Sequence, residues 1–405
     1  MRVSTANSYD NTIAHLARRQ AELAAQQERV TTGMRVLKPS DDPVAATLAE
    51  TAANRLSRTN ADLRALEASR ASLQQAESGL RESGDLIQQV RDLLITAGNA
   101  TFTDAEREDV AKQLEGLREQ LIAVANRKDN TGRTLYGGLG GSSTPFVDVY
   151  GPNGNGVQFE GQRGQAAAGN SALPQTLDGD AIWMRVPQGN GSFTVGLPHS
   201  NSGNVSTTVG TVSNPAALTG AGYDIGFAEV GGQMQYTVTN TTTGLPVAGH
   251  AGQPYVANRT IEFDGISLEM RGAAAAGDRV EVRPVTAPTD IFSVVQSAID
   301  GLRYDGPNES AHHAQVLARA ITEVDAAHDR VLAVRGRAGE WLNRADSLST
   351  QMEGRAIDLK TEGARLQELD PIQGISDLDM KKLGLEAALK TYAQVQRLSL
   401  FQVIN

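Results

Sequence analysis

The chain has 405 residues, 47 acidic against 37 basic side chains and a formal net charge of -10, a balance that speaks against nucleic acid or an anionic membrane as partner, because phosphate binding needs a concentrated basic surface. Hydrophobic residues make up 40% but aromatic ones only 4%, which is lean for an enzyme core and suits alanine and leucine seams between helices. There is no cysteine, hence neither a disulfide framework nor a thiolate metal site; Met1 to Gln20 lacks the apolar core of a secretory signal, and no run approaches the ~20 apolar residues that cross a bilayer.

In chain order, Ile13, Leu16, Leu23 and Val30 form a narrow stripe on an otherwise polar helix that ends at Thr31-Thr32-Gly33. In Lys38-Pro39-Ser40-Asp41-Asp42-Pro43 each residue before a proline is pushed to extended backbone, and Asp42 is placed to cap the helix that Pro43 begins. Ala45, Ala52, Thr59, Leu66, Leu73, Leu80, Ile87 and Leu94 then recur every seven residues, with Ala49, Leu56, Leu63, Ala76 and Val90 as second seam positions, so 43–97 reads as one helix. Thr103 and Glu106 form a capping box for a further helix with the stripe Val110, Leu114, Leu117, Leu121 and Val124.

Residues 134–288 read as mostly β. Gln233 to Thr239 alternates, Asp264-Gly265 joins two short strands as a type I′ hairpin, and Val280 and Val282 look like an edge hairpin. Helix returns with Thr289 or Asp290 as cap, followed by Ile291, Val295, Ile299 and Leu302. After Gly306-Pro307 a second seven-residue seam runs through Leu317, Val324, Val331, Ala338, Ala345, Met352, Leu359 and Leu366 until Asp370-Pro371 stops it. At 1.5 Å per residue the two long helices span about 80 and about 90 Å, matched well enough to lie antiparallel. The last helix, capped by Ser376 or Asp377, carries Leu378, Leu385, Ala388, Tyr392, Val395 and Val403. Thin single stripes of this kind are marginal alone, so both termini are expected to fold against neighbouring subunits.

Thr32-Gly33-Met34-Arg35-Val36 with Pro39-Ser40-Asp41-Asp42-Pro43-Val44-Ala45-Ala46 resembles the amino-terminal signature of the flagellin superfamily. The proline after the paired aspartates, Leu135-Tyr136-Gly137-Gly138 with Pro145-Phe146, and the end Leu398-Ser399-Leu400-Phe401-Gln402-Val403-Ile404 are similar to its hook-associated branch more than to flagellin itself. The likeness covers about the first 145 and last 120 residues and leaves the middle undiagnosed. It implies a structural subunit of the bacterial flagellum joining hook to filament, with terminal helices inside, the long helices around them and the β region outward. The partners it implies are copies of the chain, a neighbouring hook-associated protein and flagellin, plus an export chaperone on Leu385 to Val403. It implies type III export without a cleaved signal peptide and localisation in the flagellum.

Other readings are weaker. Asp41 and Asp42 as an acid-base pair lack any nearby base or nucleophile and read as a turn and cap. Asp325 and His328 stand three apart, but no His-Glu-x-x-His motif occurs, and His312, His313 and His328 read as packed or partly exposed histidines. Gly151-Pro152-Asn153-Gly154-Asn155-Gly156 lacks dinucleotide or phosphate-loop spacing and reads as a turn. Trp183 and Trp341 read as packing anchors, and threonine runs such as Thr241 to Thr243 as β surface.

The expectation is an α+β protein, an elongated helical bundle or coiled coil of N- and C-terminal segments with an inserted β-rich domain. It divides into an assembly helix 1–35, rod segments 36–133 and 289–370, the β insert 134–288 and an assembly helix 371–405. No catalytic residue, metal or cofactor is expected. The subunit interface is expected at Ile13, Leu16, Leu23, Val30, Leu385, Tyr392, Val395 and Val403, and the turn and cap at Gly33, Asp41, Asp42 and Pro43. Flagellin, or a secreted coiled-coil adhesin whose β domain binds a ligand, are the alternatives.

Overall fold

The structure is a computed structural model that describes residues 2–99, 101–140, 142–149, 156–165, 167–168 and 173–404. Two compact units divide it, Met1–Arg64 with Ser347–Asn405, and Ala65–Asp346. The α+β class of the sequence reading holds, with helices at both ends and a β-rich middle.

In the first unit, α1 (Arg2–Thr32) pairs with α7 (Pro371–Ile404). The long helices α2 (Pro43–Ala97) and α6 (Glu309–Gln367) each contribute one end to it, burying Ala45, Ala49, Ala52 and Thr59 from the first and Leu359 from the second. Helix α7 begins at Pro371, ahead of the predicted Ser376 or Asp377 cap. Its cap is Asp370, whose Oδ1 accepts from the backbone N–H of Ile372 at 2.9 Å and of Gln373 at 3.3 Å. Pro371, read as a stop, is also a good first helical residue because its missing N–H leaves nothing unpaired.

The second unit has two cores. The helical one gathers Leu73, Leu80, Ile87, Val90 and Leu94 of α2, α3 (Asp104–Ala125), α5 (Ile291–Leu302) and Leu317, Val324, Val331 and Ala338 of α6. Three ion pairs fix α2 and α6 as antiparallel, Arg70–Asp346 at 3.0 Å, Glu77–Arg335 at 2.7 Å and Arg91–Asp325 at 2.6 Å. The Thr103/Glu106 capping box closes as the sequence requires, and Asp290 rather than Thr289 caps α5, accepting from Ser293 N at 2.7 Å. After α3 the chain forms β1 (Phe146–Asp148), β2 (Val157–Phe159), β3 (Ala167–Ala168), β4 (Leu173–Pro174) and the short α4 (Gly179–Trp183). The Gly151 to Asn155 part of the predicted turn lies outside the described residues, between β1 and β2.

Tyr136 shows how the seam admits this region. Its buried hydroxyl donates to the Ala76 carbonyl at 2.7 Å. A Cβ on Gly79, one turn along α2, would come within 2.2 Å of that oxygen. Glycine to alanine inside a helix normally stabilises by up to about 1 kcal/mol; here the sign reverses. Gly79→Ala is expected to destabilise by about 1–3 kcal/mol through overpacking, measured by urea denaturation, and a stabilised variant would contradict the contact.

The β core comprises two sheets. Strands β5 (Phe193–Gly196), β8 (Tyr223–Val230), β9 (Gln233–Asn240), β10 (Gln253–Pro254) and β13 (Arg279–Pro284) line up in the order β10-β9-β8-β13-β5. In the other sheet β12 (Ile266–Arg271) pairs β11 (Arg259–Phe263), β6 (Ser206–Thr207) and β7 (Thr211–Val212). Asp264 and Gly265 both take positive φ, 43° and 80°, as a type I′ turn needs. The edge reading of Val280 and Val282 fails: β13 is hydrogen-bonded on both sides, to β8 and β5, and both valines are buried. Those partners lie some tens of residues upstream, which local alternation does not reveal.

Candidate assembly interface

Gly33 ends α1 at φ 71°, a backbone that only glycine adopts without strain. The chain that follows clasps the link between α6 and α7. Arg35 N donates to Gln367 O at 2.7 Å, Leu369 N to Gly33 O at 2.8 Å, and Arg35 Nη2 to Leu366 O at 2.9 Å. Both aspartates are used in the turn. Asp41 Oδ2 accepts from Leu37 N and Lys38 N, each at 3.1 Å, with Arg29 3.8 Å away. Asp42 Oδ1 accepts from Ala45 N at 3.0 Å as the cap of α2, and its Oδ2 pairs with Arg35 Nη1 at 3.1 Å. The signature residues of the amino-terminal turn therefore hold one end of the two-helix pair.

Backbone hydrogen bonds from Lys38 and Leu37 hold Asp41 below the ordinary carboxylate range, and those from Ala45, then the Arg35 guanidinium, do the same for Asp42. A depressed folded-state pKa means the stabilisation is complete above the unfolded value and is lost as pH falls through the lowered one. The stability difference between the protein and Asp42→Ala is accordingly expected to be constant near neutrality and to shrink below about pH 4, followed by denaturant titration at each pH. A difference independent of pH would contradict this role.

Beyond the turn, α1 and α7 run antiparallel. The buried Gln26 amide donates to the Gly374 carbonyl at 3.1 Å, and a side chain at Gly384 would meet Arg19 at 2.8 Å. Of the residues marked from the sequence, Leu16, Leu23, Val30, Leu385 and Tyr392 are half-buried and Ile13 is exposed. Val395 and Val403 lie on α7, with side chains outside the described residues. Five of the eight marked residues are thus already half-buried in a single chain.

What the sequence reading missed is a second apolar face on α7. Ile372 is 83% exposed, Leu383 68% and Ile375 52%, and Met380 and Leu389 are also exposed. At 100° per residue Ile372, Ile375 and Leu383 fall on one side of the helix, opposite Leu385 and Tyr392. Reading α7 for two stripes instead of one would have found it. In the same unit Val44 and Leu48 of α2 and Ile357 of α6 are exposed too.

In the second unit the histidines pack. Arg107 Nε donates to His313 Nδ1 at 3.2 Å, and burial, then Arg107, holds that imidazole below its usual value. His312 stacks on Tyr304, ring centres 4.0 Å apart. Asp325 is taken by Arg91. Among the described residues no group of three or more His, Asp or Glu is placed to hold a metal ion, and no helix is long and apolar enough to cross a membrane.

Comparison with known proteins agrees with this architecture. The family model of the bacterial flagellin N-terminal helical region matches residues 3–139. Flagellar hook-associated protein 3 of Escherichia coli K12 is 23% identical over 406 aligned positions, covering 100% of this chain and 99% of that protein. The crystal structure of the flagellar junction protein from Legionella pneumophila superposes with a TM-score of 0.67 at 26% identity, over 74% of this chain and 99% of that one. A B-type flagellin of Pseudomonas aeruginosa is 26% identical over 134 residues, 33% of this chain. The chain is thus similar at its head to the flagellin amino-terminal region and along its whole length to flagellar hook-associated protein 3.

Proposed function

We propose that the chain is a structural subunit of the bacterial flagellum that joins hook to filament and assembles through its terminal helices. The observation that carries the reading is the apolar face of α7, Ile372, Ile375 and Leu383, exposed in the single chain, in a homologue of hook-associated protein 3. An exposed apolar face of this kind marks an interaction site, and a subunit buried in a polymer supplies its cover. In this reading 1–35 and 371–405 contact copies of the chain, a hook-side neighbour and flagellin. Residues 134–288 face outward, and Leu385 to Val403 engage an export chaperone before secretion without a cleaved signal. The role is architectural, with no catalytic step.

Flagellin is the second reading, favoured by the match over residues 3–139. Removing residues 1–35 tests the first: cells carrying the truncated chain in place of the native one should shed their filaments into the medium and lose motility. Firmly attached filaments would contradict it. Long filaments grown from the purified chain alone would favour flagellin.

A further inference from the structure

Ala65–Asp346 carries a row of cations that its own acids do not match. Buried Asp180 at the start of α4 takes both Arg163 (Nε–Oδ1 3.1 Å) and Arg185 (Nε–Oδ2 2.5 Å). Arg330 of α6 donates Nη2 to the Ala181 carbonyl at 2.5 Å, while its solvent-shielded Nε has no partner. Burial, then Arg185 and Arg337, lowers its pKa against the pull of Asp180. Arg337 and Arg344 follow at seven-residue spacing on the same side of α6, exposed, with half-buried Trp341 between them. Neither forms an ion pair among the described residues, and exposed Glu340 is likewise unpaired. In a chain of net charge -10, composition alone does not produce such a row.

We propose that the exposed Arg337 and Arg344 of this row dock the acidic side of α3, at Glu119, in a second copy of the chain. On that side Arg303 already pairs with Glu108 at 2.8 Å and Glu115 at 2.6 Å and Lys112 lies 4.0 Å from Asp109, which leaves exposed Glu119 without an ion pair among the described residues. Like charges forbid the row from facing its own copy across a two-fold axis. The contact therefore joins two different faces of the chain, and where it repeats head to tail such contacts close into rings or continue as helical tubes. Charge complementarity of this sort sets register and orientation more than raw affinity. The inference rests on the assembly reading given above.

Because the chain has no cysteine, single cysteines report the contact cleanly. Cells producing Arg337→Cys and Glu119→Cys copies together supply flagella that are treated with a short bis-maleimide. The expected result is a mixed Arg337→Cys/Glu119→Cys dimer in several-fold excess over either same-variant dimer. Flagella that contain the chain but give no excess of the mixed product overturn this contact while leaving the assembly reading intact; flagella without the chain overturn both. Independently, Arg337→Glu should weaken filament attachment and Glu119→Arg in the same chain should restore it. Weakening without rescue overturns the pairing.

Discussion

Trp183→Ala is expected to remove about 3–5 kcal/mol of stability, the range for truncating a large aromatic in a packed core. Trp183 is fully buried and meets the rings of Tyr136 at 4.7 Å and Phe146 at 5.3 Å, both edge to face. Phe146 in turn touches Phe159 and Phe292 at 5.1 and 5.9 Å. One indole thus joins α4, the β1–β2 pair, α5 and, through Tyr136, the seam of α2. Its Nε1 has no hydrogen-bond partner, so the loss is one of packing, and Trp183→Phe should recover a large part of it. Urea denaturation followed by circular dichroism measures the difference. An effect under about 1 kcal/mol, typical of a surface position, would show that the aromatic cluster does not organise this unit.

The second large effect separates folding from assembly. Replacing Ile372, Ile375 and Leu383 together by Gln should leave the stability of the isolated chain within about 0.5 kcal/mol per site, because all three are exposed there. In the assembly each buried aliphatic side chain contributes about 1.5–3 kcal/mol, so the triple variant should lose at least about 4 kcal/mol of association, roughly a thousandfold. Sedimentation and filament attachment read the two quantities separately. A variant that unfolds would place the face in the intrachain core, and one that assembles normally would remove it from the interface.

Most of the helical scaffold was legible because its signals are local. The heptads from Ala45 to Leu94 and from Leu317 to Ala345 are buried as their spacing requires, and the turn from Gly33 to Pro43 folds on the bonds its residue types offer. Pro371 was ambiguous, since the residue that ends one helix is equally suited to begin the next. The place of β13 inside its sheet depends on strands far upstream. Arg118, buried and paired bidentately with Asp148 at 2.7 and 3.0 Å, has no sequence signal at all. On α7 the sequence reading marked Leu385 and Tyr392, which are half-buried in a single copy, as subunit interface and overlooked Ile372, Ile375 and Leu383, which are exposed there.

The central claim is that the helical ends are completed by neighbouring copies. Hydrogen exchange of the purified monomer and of the assembled protein tests it most directly. In the monomer, amides of α1 and α7 should exchange orders of magnitude faster than those of Leu73 to Leu94 and Val324 to Ala338, and should become protected on assembly. Equal protection of all these helices in the lone monomer would contradict the account.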